Sequence, residues 1–347
     1  MERGIKMTTM TQDDLKREKN KRAIRYFSFV IVGIGLLALF LISLNIGSLK
    51  ISFKQLLDGL FVSYDEQVAT VYDLRFPRIF ISILAGAAIS VAGVLFQAVL
   101  KNPLADPGII GISSGASLAA VLVMAIAPSL YFMTPLFAFI GGLIAFSLVY
   151  SLSWKEGLSP LRIILVGVAV NAMFVGMMNA IGAMSGGSKS GVASIVNGNI
   201  TMKTWSDVYI LCPYVILGLV LAMIFSETLN ILSLEDRTAC SLGVDVNKLR
   251  FIISLIAVLL ASISTSITGV IGFLGLIVPH IGRLLVGSDH KKLIPFSMLL
   301  GANVFLLADT IGRTIAYPHE ISAAIIMNVI GGPFFIMLLR RSKSYGK

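Results

Sequence analysis

Charge is scarce in this sequence: Asp, Glu, Lys and Arg make up only 13% of its 347 residues, where an average soluble domain carries about a quarter. A soluble globule is excluded on that ground. Cysteine is scarcer still, and the two present, Cys212 and Cys240, are too few for a disulfide framework and fall in different kinds of segment. The three histidines, His280, His290 and His319, show no metal-ligand spacing, so no metal site is expected. The chain also lacks His-Glu-x-x-His, Gly-x-Ser-x-Gly and paired intramembrane aspartates, which leaves the usual membrane hydrolases without a site. No catalytic residue and no cofactor is therefore assigned. A Gly-x4-Gly-Lys-Ser/Thr phosphate loop is missing as well, so any ATP motor must sit on another chain.

What fills the sequence is hydrophobic residue, 56% of the total, with 32 Gly and 14 Met. Uncharged runs cover Tyr26–Leu49 (24 residues), Ile79–Leu100 (22) and Pro107–Trp154 (48), and one crossing of a hydrocarbon core about 30 Å thick takes about 20 residues. An all-α, polytopic membrane protein follows. The first run is too long for a signal-peptide core and has no small-residue cleavage site, so it reads as a retained first helix. Further runs lie at Ile163–Ser188, Val208–Ser226, Phe251–Gly282, Leu293–Ala308 and Ile321–Leu339. The 48-residue run divides into two spans, with Pro128 and Pro135 framing the turn. Phe251–Gly282 is long for one helix and short for two, and Gly269, Gly272 and Gly275 offer a break near its middle. Nine or ten spans result.

The basic residues arbitrate. A net charge of +10 would suggest nucleic acid in a soluble protein, but here Lys and Arg cluster between hydrophobic runs, as topology determinants do; no nucleic-acid partner is expected. With ten spans and the amino terminus inside, 21 of the 28 Lys and Arg fall on the inner side, whereas nine spans give 15 to 13. The inner-side excess selects ten spans with both termini cytoplasmic.

Small residues in Leu84–Ser90 and Gly111–Gly115 suit close helix packing in lipid. A short echo between Ser90–Val94 and Ser266–Val270, in oppositely oriented spans, suggests an inverted repeat. Asp309, four residues before Arg313 on one helical face, reads either as half of a structural ion pair or as an ion-coupling site. Arg75 and Arg78 flank Phe76-Pro77 at the outer entrance of the second span, and Arg313 ends the ninth. They suit either helix-end snorkelling or the capture of carboxylates. The inner loop Glu227–Arg250 contains a short helix ending at a glycine cap, placed to lie on the membrane or to enter a partner's groove.

Taken together, Leu74-Arg-Phe-Pro-Arg78, Gly93-Val-Leu-Phe-Gln97, Lys101-Asn-Pro-Leu-Ala-Asp-Pro-Gly108, Gly111-Ile-Ser-Ser-Gly-Ala116, Gly272-Phe-Leu-Gly-Leu-Ile-Val-Pro-His280, Ser288-Asp-His290 and Gly331-Gly-Pro-Phe-Phe335 closely resemble the FecCD-type permeases of ABC importers for iron-siderophores, haem and cobalamin. The resemblance runs from about residue 24 to 341. It implies a type II importer permease fold: a basic cytoplasmic arm (1–23), a ten-helix domain (24–341) with a cytoplasmic coupling loop at about 226–250, and a cytoplasmic tail (342–347), all in a bacterial plasma membrane. It implies as partners a second permease, identical or homologous, two cytoplasmic ATPase subunits and an extracytoplasmic substrate-binding protein. Arg75, Arg78 and Arg313 match arginines that receive acidic side chains of the binding protein. Glu235, Ala239, Leu242 and Gly243 fall in the loop that couples to the ATPase, and Asn102 and Leu104 match positions of the cytoplasmic gate. The expected cargo is an iron-siderophore, with haem or cobalamin as alternatives. An ion-coupled secondary transporter and a receptor without transport are the readings from other classes. One departure stands out: relatives often read Glu-Leu/Ile-Pro-Val-Gly before the last span, and this chain has Glu320-Ile-Ser-Ala-Ala324.

Overall fold

The computed structural model describes residues 12–46, 51–153, 160–184 and 190–341. The expected tail (342–347), residues 1–11 of the arm, and Lys50, Lys155 and Lys189 of the charge count lie outside the described residues.

Helix α1 (Gln12–Asn45) begins inside the stretch expected to be an arm, so the boundary at residue 23 falls within a continuous helix. Two short helices follow, each started by a side-chain cap that satisfies otherwise unpaired amides. Ser52 caps α2 (Phe53–Phe61) and Asp65 caps α3 (Glu66–Leu74). Pro77 then sits in the first turn of α4 (Phe76–Val99), where its missing N–H costs no hydrogen bond. The 48-residue run divides as expected: α5 (Ile112–Ile126), a 3-10 turn over Pro128–Met133, and α6 (Thr134–Ser153). Helices α7 (Pro160–Met184) and α8 (Ser190–Val196) precede α9 (Trp205–Ile224), which opens with a reciprocal capping box between Thr204 and Asp207. On the other side of α9 come α10 (Ser226–Leu232) and α11 (Asp236–Ser241). The chain ends in α12 (Val246–Thr268), α13 (Leu274–Val286), α14 (His290–Thr314) and α15 (Ala323–Arg341).

Among the described residues, seven helical stretches are long and apolar enough to cross a membrane, and three shorter apolar helices, Ile112–Ile126, Leu274–Val286 and Ala323–Leu338, accompany them. The ambiguous run Phe251–Gly282 resolves at its glycines. Gly269 takes φ +73° and ends α12, and the chain stays non-helical to Phe273 before α13 starts. Thirteen residues of α13 rise only about 20 Å, short of a full crossing. Irregular backbone at that depth is tolerated because protein, not lipid, surrounds it; Gly269, Ile271 and Leu274 are all buried.

The core sits around α4 and α12, whose apolar windows are 83% and 78% buried, against 17% for α1 and 28% for α7. Glycine sets how closely α4 is approached. A Cβ at Gly86 would run into the carbonyl oxygen of Gly301 on α14, and one at Gly93 into that of Gly275 on α13. Such backbone contact is how helices hold together where lipid removes the hydrophobic drive. The two segments of the echo, Ser90–Val94 and Ser266–Val270, sit differently in their helices. The first segment lies inside α4, whereas the second straddles the end of α12, where the Thr268 hydroxyl donates back to Ser264 O and Gly269 turns the chain away.

Candidate functional site

At one end of the bundle the chain brings together five charged groups from distant segments. Arg78, in the first turn of α4, directs Nε and Nη2 at Asp309 Oδ1 (3.0 and 2.8 Å), and Nε also lies 3.1 Å from Oδ2. Its Nη1 donates to Glu320 Oε2 at 2.8 Å. Asp309 is fully buried on α14, and Arg313, one turn on, holds Nε 3.3 Å from Asp309 Oδ2 while its Nη2 donates to the hydroxyl of Ser43 on α1. Arg75 ends α3 half-buried and donates to Leu44 O. Glu320, in the connection between α14 and α15, also accepts from the Thr201 hydroxyl at 2.6 Å. Burial pushes the Glu320 carboxyl up, but the hydrogen bonds from Thr201 and Arg78 outweigh it and hold the group below the usual range.

The three arginines expected to face outward therefore share one site, and Asp309 takes the structural role beside Arg313 with Arg78 as its closer partner. Arg78 and Arg313 are not free on the surface: their side chains are 6% and 7% exposed, while Glu320, at 35%, lies nearer solvent. Sequence reasoning missed Glu320 and Thr201, because no local spacing connects residue 78 to residues 201 and 320. Beside this cluster, Trp205 donates to Tyr72 O and packs with Phe80 and Tyr209, an aromatic grouping of the kind that marks a membrane–water boundary.

A cavity of about 350 Å³ opens nearby between α5, α8 and α9. Lys203 and Asp207 form an ion pair there at 3.6 Å, and the Tyr131 hydroxyl donates to Asp207.

At the opposite end, α10 and α11 form the polar connection expected between residues 226 and 250. Glu235 and Leu242 are exposed, Gly243 takes φ +79° with nothing near its missing Cβ, and Ala239 is buried in the core at 1% exposure. Ala239 thus anchors the short helix while Glu235, Leu242 and Gly243 face away from the core. Asp236 receives Lys101 Nζ at 2.7 Å and Arg250 Nη2 at 2.9 Å. The hydrogen bond from Lys101, helped by Arg250, holds its carboxyl below the usual range. Asn102 and Leu104 both lie buried in the adjoining loop, where Asn102 Oδ1 accepts from Leu104 N at 2.9 Å. His290 pairs with Asn230, and His280 packs edge-on against Phe334. Among the described residues no group of three His, Cys, Asp or Glu is arranged to hold a metal ion.

These features define an all-α, multi-pass membrane protein with the architecture of an ABC importer permease. The chain belongs to the FecCD transport family, whose profile matches residues 35–341. It is 41% identical over 325 residues to the "Probable heme-iron transport system permease protein IsdF" of Staphylococcus aureus strain MSSA476, covering 94% of this chain and 98% of that relative, and the same figures hold for the IsdF of strain Newman. Among solved structures it resembles "An inward-facing conformation of a putative metal-chelate type ABC transporter", with a TM-score of 0.76, 28% identity, and coverage of 91% of this chain and 99% of that one. The fold is shared more distantly with PsaBC from Streptococcus pneumoniae, at TM-score 0.56 and 19% identity over 82% and 95% of the two chains. The protein is a transport subunit, not an enzyme.

Proposed function

We propose that this chain is the permease subunit of an ATP-driven importer that carries an iron chelate, haem in the first place, across a bacterial plasma membrane. The observation that carries the reading is the identity to a haem-iron permease over nearly the whole of both chains. An iron-siderophore as cargo is the second reading, resting on the family resemblance alone, since the motifs between Leu74 and Phe335 are common to permeases for siderophores, haem and cobalamin. The seven long and three short apolar helices would make ten passes, with both termini cytoplasmic. A second permease, identical or homologous, completes the path, two ATPase subunits supply the free energy, and an extracytoplasmic binding protein delivers the cargo.

In this reading the arginine cluster is where the binding protein's carboxylates dock. Arg75 is the most accessible member, and Arg78 and Arg313 lie beneath Glu320. Residues 226–250 face the ATPase through Glu235, Leu242 and Gly243, with Ala239 anchoring the helix. Asn102 and Leu104 belong to the gate that opens when that segment moves. The chain breaks no covalent bond: its work is alternating access. The ion pairs that hold Asp309 to Arg78 and Arg313 support a structural role for it and count against an ion-coupled transporter.

Accumulation of radiolabelled iron by cells with and without the gene tests the proposal, with iron supplied in turn as haemin, hydroxamate, catecholate and carboxylate chelates. Selective loss of haemin uptake is expected. Selective loss of one siderophore would move the cargo to that class, and normal uptake of all four would sink the iron reading. Replacing Arg75, the most accessible of the three arginines, by Glu should weaken uptake while the permease still assembles with its ATPase; unchanged uptake would sink the docking idea.

A further inference from the structure

Lys101 stands where α4 gives way to the loop leading to α5, and it is one of two non-glycine residues with positive φ, at +48°, among the described residues. A lysine in that region costs energy that a glycine would not, so the position uses its side chain. That side chain crosses to the α10–α11 segment, where Nζ donates to Leu234 O and to Asp236 Oδ1 at 2.7 Å. Arg250 holds the same carboxylate from α12 at 2.9 Å.

Behind Lys101 the polar chain continues into the bundle. Asn102 Oδ1 closes a turn on Leu104 N, and Gln97 Nε2 donates both to Ala105 O (3.3 Å) and to Gly275 O (3.1 Å). Asp106, fully buried, takes the amides of Gly108 and Ile109 at 2.8 and 3.2 Å. Gly275 lies in the first turn of the short helix α13 and packs on Gly93 without room for a Cβ. Loop 101–106 is therefore held to the start of α13.

The other end of α13 is tied to the same segment independently. Asn230 on α10 donates to Asp289 Oδ1 at 2.9 Å, and its Oδ1 accepts from His290 N at 2.9 Å, just past the end of α13. One short segment thus grips the loop before α5 and the turn after α13, which is the arrangement needed to move a short helix as a unit.

We propose that Lys101 and Asn230 are positioning residues through which displacement of the α10–α11 segment is imposed on loop 101–106 and on α13. The inference rests on the reading of residues 226–250 as the ATPase-facing loop. An exposed ion pair contributes little to stability, so the Lys101–Asp236 contact should matter for transmission far more than for folding. Lys291, Lys292 and Glu227 lie around the Asn230–Asp289 tie, and Arg250 shares Asp236 with Lys101.

The test uses the whole complex in proteoliposomes with its ATPases and binding protein, reading ATP hydrolysis and iron import side by side, with radiolabelled haemin and hydroxamate as probes. Lys101→Met should assemble normally and hydrolyse ATP within about twofold of wild type, while iron imported per ATP falls by about tenfold. Asn230→Ala should uncouple in the same direction, and Lys101→Arg, which keeps the charge, should restore the ratio. An unchanged ratio in Lys101→Met, or a loss of import matched by loss of assembled complex, would overturn the proposal. A wild-type complex that imports neither probe with ATP would instead overturn the importer reading itself.

Discussion

Arg78 and Asp309 lie 231 positions apart yet meet through three contacts of 2.8 to 3.1 Å, with the carboxylate wholly removed from solvent. Two charges so buried have given up their hydration, and only their mutual attraction and the surrounding donors offset that cost. The pair ties the start of α4 to the end of α14, two helices whose backbones already touch at Gly86 and Gly301. A geometric lock and a charge lock therefore act on the same helix pair.

Removing one partner leaves the other charge stranded. Asp309→Asn should destabilise the folded permease by about 3–5 kcal/mol, because Arg78 and Arg313 would both remain buried without their shared anion. Thermal unfolding of the detergent-solubilised protein measures it. Glu320→Gln, at a more exposed position, should cost far less, and equal melting temperatures for the two variants would contradict this account.

Glu320 also occupies the one Arg78 nitrogen not given to Asp309. If the binding protein docks here through carboxylates, Glu320 competes with them. Glu320→Gln should then strengthen docking by roughly threefold to tenfold, read as the dissociation constant between binding protein and permease in nanodiscs. The gain should shrink as salt rises, since exposed charge interactions are screened. Weaker docking would mean that Glu320 orients Arg78 for the partner instead of blocking it.

The helices were legible from the sequence because the bilayer imposes a length and an apolar composition that soluble folds do not. The break at Gly269 and the turn framed by Pro128 and Pro135 follow from residue type alone. The Arg78 cluster was only half legible. Arg313 and Asp309 announce each other by a spacing of four, whereas Glu320 and Thr201 approach Arg78 only through tertiary folding. The internal echo shows the converse: five similar residues carry a helix interior in one place and a helix end in the other, and the packing around Gly93 and the positive φ of Gly269 decide which. The short helix expected in the inner loop was read correctly, but its orientation, which buries Ala239 and exposes Leu242, depends on the core beneath it.

Glycines at helix crossings and at caps should differ widely in what one added carbon costs. Gly93→Ala forces a Cβ into the Gly275 backbone, which cannot give way as a flexible side chain would, so folded yield should collapse. Gly243→Ala meets open space and carries only the penalty of φ +79°, about 1 kcal/mol. Chromatographic yield and melting temperature of the two variants check the contrast, and a well-folded Gly93→Ala protein would show that α4 and α13 can separate without loss.

Acid should release the α10–α11 segment at a pH set by Asp236. The hydrogen bond from Lys101, with Arg250 beside it, holds this carboxyl below its ordinary value when folded. A depressed carboxylate contributes its contact in full above the unfolded value, and the contact is lost only as pH falls through the lower, folded one. Between neutral pH and the ordinary carboxylate range, amide exchange across residues 234–243, corrected for intrinsic rates, should therefore stay flat. Below that range it should accelerate. In Lys101→Met the acceleration should begin at higher pH, because Arg250 alone remains to favour the charged form. An onset identical in variant and wild type would mean that Lys101 does not govern the ionisation of Asp236, and the electrostatic part of the link between the two segments would fail.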